Sequence, residues 1–415
     1  MESATAESYN VQTQYNTASK DTEPKYRPSN YNPEIKLVML ERIFGYSRQS
    51  FTKWEADENP NSPKIQSRIE KHPKYSRLNK RLYSIENVRY LWNYFREQKK
   101  LAPCPSMPLS IAVWNNKGGV GKSFITKELA SMLSILMGFK VLVVDCDPQS
   151  DSTLLFNCDQ KFNSLAQVDD RSMQPTIRDI IGWEDLEDNK YKADFDETVI
   201  HLSPTLSIIP SDEDLAYFDM ELRHKTGITF NAEGKDTTAL TNIERLLQDL
   251  YSRYDYDIVL FDCPPQISEF VHNVLWAVDR LIVPVEVEAK CLHSIFRVYN
   301  HLKLIAEYVE NYRFEKILAV PNKFQVVQLL HQEAYQKLKE LFSTTLLSQN
   351  VLPLAAAVGK SDEAKEPLFM GAFSGNKGKN TGMVRRFSNE MWKIAHEILE
   401  IKPHKDLFDD VSYEE

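Results

Sequence analysis

The stretch Asn115-Asn116-Lys117-Gly118-Gly119-Val120-Gly121-Lys122-Ser123 follows a mostly apolar run over 109–114 and precedes a helical pattern over 124–137. A strand thus delivers the chain to a tight glycine-rich turn, and a helix leaves it. In that context the glycines let backbone N–H groups turn inward around phosphate oxygens, and the helix adds the positive end of its dipole. Lys122 is expected to reach the β- and γ-phosphates of a nucleotide, and Ser123 to ligate Mg²⁺. A glycine turn without a ligand is the alternative, and the strand-loop-helix context argues against it.

A parallel α/β sheet presents its ligands at the carboxyl ends of the strands, so further phosphate and metal ligands are expected where apolar runs stop. The run 141–144 stops at Asp145-Cys146-Asp147-Pro148-Gln149. Two carboxylates at i, i+2 point to one side of an extended chain, whereas one alone would read equally well as a helix cap or a solvated turn. The run 258–261 stops at Asp262-Cys263-Pro264-Pro265, where Asp262 is placed to hold Mg²⁺ through water. Cys263 reads as a small buried hydrophobe. Strands are predicted at 109–114, 140–144, 206–209, 258–261, 281–285 and 316–320, with helical spacing at 266–278 and 291–308. The economical fold class is α/β, a doubly wound, mostly parallel sheet with helices on both faces.

The loop departs from the usual G-x-x-x-x-G-K-[ST] pattern, because Asn116 takes the first glycine's place and Lys117 precedes the paired glycines. With K-G-G-V-G-K-S, D-x-D-P-Q and D-C-P-P in that order, residues 109–400 resemble the ParA/MinD group of deviant Walker A ATPases. The resemblance implies ATP and ADP as ligands together with Mg²⁺, and slow hydrolysis of ATP. It implies nucleotide contacts from Lys117, Gly118, Gly119, Val120, Gly121, Lys122, Ser123 and Phe124. Lys117 would be the signature lysine that reaches across an ATP-sandwich homodimer to the partner's phosphates. Asp145 would support the Mg²⁺ shell formed with Ser123 and Asp262, and Asp147 would orient the attacking water, so Lys117, Lys122 and Asp147 are the candidate catalytic residues. Pro321-Asn322-Lys323 falls where this family places the base, which makes Asn322 a candidate adenine contact, with an ordinary turn asparagine as the alternative. The segment 358–367 would close over the base.

The chain has 415 residues, 42% of them hydrophobic, enough to bury a large core and to form two or more domains. No apolar run approaches the roughly 18–20 residues that span a bilayer. Residues 1–32 are polar, lack an apolar signal core and read as a disordered arm. Residues 403–415 read as an acidic tail, unlike the basic amphipathic helix that ends MinD-type relatives, so no membrane partner is expected. The cysteines at 104, 146, 158, 263 and 291 form no C-x-x-C pair, which suits a reducing cytoplasm.

Net charge is −9, but residues 34–100 hold fifteen Lys/Arg against eight Asp/Glu, so that stretch carries +7 and the remainder −16. Within it, Leu37, Leu40 and Phe44, widened by Met39 and Ile43, suit a helix over 34–44 with one buried face. Gly45 ends that helix, and a second is expected over 47–55 with Ser47 as N-cap. Helix, glycine turn and helix form the helix-turn-helix signature, with Arg48, Gln49, Thr52 and Lys53 as candidate DNA contacts; a small helical linker domain is the alternative. The basic segment 64–81, broken by Pro63 and Pro73, suits a wing or hairpin, and a further helix is expected from about 83 to 98. Residues 33–100 resemble the winged helix-turn-helix of MerR-like regulators, a domain that larger plasmid ParA proteins also carry. A proline-stiffened linker over 101–108 would join it to an ATPase domain over 109–402.

The function these resemblances imply is segregation of plasmid or chromosomal DNA in the bacterial cytoplasm, on the nucleoid. An ATP-bound dimer would bind DNA nonspecifically and a ParB-like centromere-binding partner would stimulate hydrolysis, while the front domain would bind the operator and repress the operon. Lys377, Lys379, Arg385 and Arg386 are a candidate nonspecific DNA surface, or a solvated face. The alternative is an ATP-regulated transcriptional repressor without a partition role.

Overall fold

Val141–Asp145 and Ile258–Asp262, two apolar runs each closed by an aspartate, lie side by side as parallel strands in a seven-stranded sheet. The computed structural model describes residues 31–57, 61–71, 79–98, 107–158, 175–181, 194–226, 242–288, 290–308, 314–354, 358–373, 381–401 and 407–408. The expected arm, linker and acidic tail fall wholly or for the most part outside them, as do Lys377 and Lys379.

Three short strands, β1 (Ile35–Lys36), β2 (Arg68–Glu70) and β3 (Lys80–Tyr83), make a front antiparallel sheet in the order β1-β3-β2. The large sheet contains β4 (Leu109–Val113), β5 (Val141–Asp145), β6 (Ile200–Ser203), β7 (Leu206–Ile209), β8 (Ile258–Asp262), β9 (Arg280–Glu286) and β10 (Lys316–Asn322). Its order is β10-β9-β4-β8-β5-β7-β6, and every pairing is parallel except β6 with β7. The six predicted strands are present, and β6 is an antiparallel edge strand that the sequence reading lacks.

The strands alternate between two cores, as a pleated chain must. Ile111, Val113, Val141 and Val143 enter one, while Ala112, Trp114, Leu142 and Val144 enter the other. Of the helices, α1 (Leu37–Phe44), α2 (Arg48–Ala56) and α3 (Ile85–Glu97) belong to the front module, and α4 (Lys122–Ser131) follows the glycine loop. The second core is lined by residues of the helices Asn242–Arg253, Glu269–Ala277 and Cys291–Tyr308.

The first helix starts three residues later than its periodicity suggests, because Ile35 and Lys36 pair with Tyr83 and Leu82 as strand β1. Its apolar stripe is buried as expected, at Leu37, Met39, Leu40, Ile43 and Phe44. Ser47 caps α2, accepting a hydrogen bond from the Ser50 N–H at 3.4 Å, and β2 and β3 form the hairpin.

This module shares the first core with the seven-stranded sheet. The helical pattern over 124–137 is not one α-helix: α4 gives way at 132 to a wider turn in which the Met137 N–H bonds the Met132 carbonyl. The buried Trp92 indole donates to the Leu136 carbonyl at 2.8 Å, and Arg89 donates to the Gly138 carbonyl at 3.0 Å. Gly138 has φ +69, and a Cβ there would lie 2.7 Å from Arg89 Cα; only glycine lets α3 approach so closely.

Candidate nucleotide-binding site

The glycine loop is built on Asn115, which is fully buried. Its amide donates to the Pro284 carbonyl on β9 at 2.7 Å, and its carbonyl oxygen accepts from Lys117 N–H at 3.0 Å and Ser294 Oγ at 3.1 Å. The side chain thereby fixes the first turn of the loop to the neighbouring strand. Gly121 has φ +90, and a Cβ there would meet Asn322 Nδ2 at 2.7 Å. After it, the N–H groups of Lys122, Ser123 and Phe124 open α4; the Ile125 N–H is the first to find an intrahelical partner, at Gly121. Gly118 and Gly119 are exposed and Val120 is buried. The Phe124 ring packs on Phe387, so the contribution of Phe124 to the loop is its backbone N–H.

Register brings the acids to this loop. Asp145 and Asp262 are direct partners across β5 and β8, and Val113 at the end of β4 is the partner of Asp262 on its other side. Asp262 accepts from Ser152 Oγ at 2.8 Å and from Thr126 Oγ1 at 3.4 Å. Burial pushes its pKa up to about 6, against the hydrogen bonds from Ser123 and Ser152 and the nearby Lys122. Asp145 is raised by burial and by the adjacent Asp262. Its oxygens accept from Asp147 N–H at 3.0 Å, Thr153 N–H at 2.8 Å and Thr153 Oγ1 at 2.7 Å, so it shapes the turn that carries Asp147. Asp147 is also raised, chiefly by burial, and accepts from Gln149 N–H at 2.9 Å.

Lys122 is buried beside these acids, and desolvation lowers its pKa against the pull of Asp262 and Asp147. Its Nζ lies 3.4 Å from the Lys117 carbonyl oxygen. One buried ammonium faces three buried carboxylates, a charge deficit that a cation relieves. Among the described residues no three His, Cys, Asp or Glu side chains form a metal cage. A Mg²⁺ ion held through phosphate oxygens, a hydroxyl and water needs none.

Lys117 lies on the opposite side of the loop, paired with Glu286 Oε2 at 2.9 Å and with Glu288. Desolvation opposes its charge, but the hydrogen bonds to Glu288 and Glu286 win and raise its pKa. Lys323 reaches the same Glu286 and the Gly119 carbonyl. Glu286 ends β9 and Glu288 lies two residues beyond it, where V-E-V-E repeats the rule of carboxylates at a strand's carboxyl end that located Asp145 and Asp262. Asn322 is buried at the end of β10, with Nδ2 donating to the Val120 carbonyl at 2.8 Å and Oδ1 accepting from Lys323 N–H. Its amide braces the loop, a role that its reading as a base contact does not include.

In the front module, Arg48, Gln49, Thr52 and Lys53 are exposed on α2, while Phe51 is buried on its other side. Thr52 Oγ1 donates back to the Arg48 carbonyl at 3.0 Å. Arg386 on the last long helix is exposed and Arg385 half-buried.

A family profile described as an AAA domain matches residues 109–316, half of the chain and the whole of the loop and its three aspartates. The chain belongs to this family, in its ParA branch. Its relatives include the sporulation initiation inhibitor protein Soj of Bacillus subtilis, 27% identical over 199 residues that cover 48% of this chain and 66% of Soj. The chromosome partitioning protein ParA of Caulobacter vibrioides is 25% identical, with 47% of this chain and 62% of ParA covered. The chain thus spans somewhat less than two thirds of these relatives. A solved complex of a Cyanothece McdA variant with ATP superposes with a TM-score of 0.54 at 18% identity, covering 72% of this chain and all of that one, which shows a shared fold. The front module lies outside the residues that the family profile matches.

Proposed function

We propose that this ParA-family chain is a Mg²⁺-dependent ATPase that segregates DNA. The observation that carries the reading is the convergence of Lys122, Ser123, Asp147 and Asp262 on the mouth of the glycine loop. The backbone N–H groups of 118–124 would cradle the phosphates, and Lys122 would neutralise the β- and γ-oxygens. Ser123, with Asp262 acting through water, would hold Mg²⁺, which supplies charge neutralisation between the phosphates. Asp145 fits a supporting place behind them, since its own oxygens are taken up by Thr153 and Asp147. Asp147 would orient the attacking water. Because the acids end β8 and β5, the nucleoside would extend the other way, toward Asn322 on β10 and the segment 358–367.

Lys117 would leave Glu286 and Glu288 to meet the phosphates of a second copy. The ATP-bound dimer would then bind DNA without sequence preference, and a ParB-like partner would stimulate hydrolysis in the bacterial cytoplasm. The acidic balance of the chain leaves nonspecific DNA contact to a local surface, for which Arg385 and Arg386 are candidates. The test is ATP turnover with DNA and with the product of the neighbouring reading frame: stimulation by both supports partition, and no turnover under any condition contradicts it.

A second role, as an ATP-regulated repressor, is favoured by the exposed Arg48, Gln49, Thr52 and Lys53 on a helix preceded by a tight turn and followed by a basic hairpin. Arg48→Ala or Lys53→Ala in the full chain would weaken operator binding by about 1–3 kcal/mol where the contact is to a base. Unchanged operator affinity in both would leave the front module a structural role.

A further inference from the structure

Tyr31 is the first described residue of the chain, and it is fully buried although it stands ahead of β1. A buried tyrosine hides a large apolar ring and must find a partner for its hydroxyl group. The hydroxyl donates to the Leu155 carbonyl at 3.0 Å, and the ring packs on Phe156 with centroids 4.9 Å apart. Burial, then Glu128 on α4 and Cys158, push the phenol pKa up, so the hydroxyl stays a donor. Leu155 and Phe156 stand at the far end of α5 (Asp151–Leu155), the helix that follows the Asp147 turn.

A helix of five residues has too few internal hydrogen bonds to hold itself, so its position is set from outside. Its first turn carries the partners of two acids. Ser152 Oγ donates to Asp262 Oδ2 at 2.8 Å, and Thr153 donates to Asp145 Oδ2 from its N–H at 2.8 Å and from its Oγ1 at 2.7 Å. The carbonyls of these two residues are held from the other end: Ser152 accepts from Phe156 N–H at 3.0 Å and Thr153 from Cys158 N–H at 2.9 Å. A chain of contacts therefore runs from Tyr31 through Phe156 and α5 to Asp262 and Asp145, and Asp145 in turn holds the Asp147 N–H at 3.0 Å. The start of α5 is fixed to Ser211, whose N–H donates to Thr153 Oγ1 at 3.1 Å and whose carbonyl accepts from Ser150 Oγ at 2.9 Å. Tyr31 anchors the opposite end.

We infer that Tyr31 is a positioning residue: by fixing α5 it sets Asp145 and Asp262 for Mg²⁺ and the turn that carries Asp147. This rests on the Mg²⁺-ATP reading of the same site. Tyr31 acts through Ser152 and Thr153, not on the phosphates. The phosphate loop is braced separately, by Asn115 on β9 and by Asn322 at the end of β10, so nucleotide affinity without the metal is indifferent to Tyr31.

The experiment measures ADP binding to the full chain by calorimetry, in EDTA and again with Mg²⁺, beside single-turnover hydrolysis of saturating ATP. Tyr31→Phe keeps the ring and loses only the bond to Leu155, so it is the variant best able to keep the fold; Tyr31→Leu removes the ring as well. In EDTA both are expected to bind ADP within about twofold of wild type. With Mg²⁺, Tyr31→Leu is expected to lose about fivefold of the tightening that the metal gives wild type, and about tenfold in rate, the scale on which partners behind metal ligands act. Tyr31→Phe is expected to stay within about threefold of wild type in both. A merely structural tyrosine would lower the melting temperature and leave the ratio of the two ADP affinities unchanged. Wild-type tightening and rate in both folded variants overturn the positioning role, as does an equal loss of ADP affinity with and without Mg²⁺, and both results leave the ATP reading standing. Should Tyr31→Leu not fold, Tyr31→Phe alone decides: a fall in the metal-dependent tightening supports the role, and wild-type values overturn it. A wild-type chain whose ADP affinity Mg²⁺ does not change overturns the metal reading and the inference with it.

Discussion

Lys117 Nζ lies 2.9 Å from Glu286 Oε2 of its own chain. A lysine proposed to serve a second copy is thus held at home by a carboxylate at the end of β9, with Glu288 beside it. The pair is partly exposed, at 38% and 26% of the side chains, and partly exposed pairs contribute only about 0–1 kcal/mol. Glu286→Gln is therefore expected to tighten the ATP-dependent dimer by a few-fold, about two to five, as read by sedimentation at several protein concentrations. A weaker dimer in this variant would show that Glu286 acts in the dimer and not against it.

The front module is expected to behave as part of the main α/β domain and not as a tethered bead. Trp92, Phe95 and Leu91 are buried in the shared core, and each such side chain contributes about 1.5–3 kcal/mol. Gly138→Ala must both strain a left-handed backbone and displace Arg89, at a cost of about 2–5 kcal/mol. Trp92→Phe, which strands the Leu136 carbonyl, would cost about 1–3 kcal/mol. Both should lower the melting temperature of the whole chain in one transition. Two separate transitions, with only one displaced, would mean that the modules fold independently. A fragment beginning after the front module would expose this apolar face, so substitutions on α2 are the cleaner test of DNA reading.

His301 stacks beside His272, with Nε2 atoms 3.1 Å apart. Burial, then the neighbouring imidazole, lowers the pKa of His301 to about 4 from an ordinary 6.5. Between these values the unfolded chain binds the proton more readily than the folded one, so stability is complete above pH 6.5 and falls as pH drops toward 4. Melting temperatures at pH 7 and pH 5 should differ more for wild type than for His301→Gln. An equal difference in the two would remove His301 as a source of acid sensitivity.

The parts legible in the sequence are those where one local rule dominates. The loop, its strand and the aspartates at 145, 147 and 262 sit where glycine geometry and apolar runs dictate them, and the parallel sheet follows from their alternation. Asn115, Thr153 and Ser152 are not legible, because a buried polar brace is defined by partners 8 to 179 positions away. Lys127 and Glu128 are not legible either, because they are buried side chains whose partners, Ser361, Asp362 and Leu368, lie more than 230 positions away. The break in α4 at 132 is hidden because its residues, Met132-Leu133-Ser134-Ile135-Leu136, are apolar almost throughout. Edge strand β6 pairs only with β7 across a two-residue turn, too short a signal to separate from a loop.

The most direct test is nucleotide binding and single-turnover hydrolysis measured side by side for wild type, Lys122→Ala and Asp147→Ala. Lys122 is placed to meet the phosphates, so Lys122→Ala should lose ATP binding by about 10²-fold or more. Asp147 is placed to orient water, so Asp147→Ala should bind ATP nearly as wild type does and lose the chemical step. ATP binding by Lys122→Ala at wild-type affinity, or hydrolysis by Asp147→Ala at the wild-type rate, would contradict the assignment of this loop and its acids as a phosphate-transfer site.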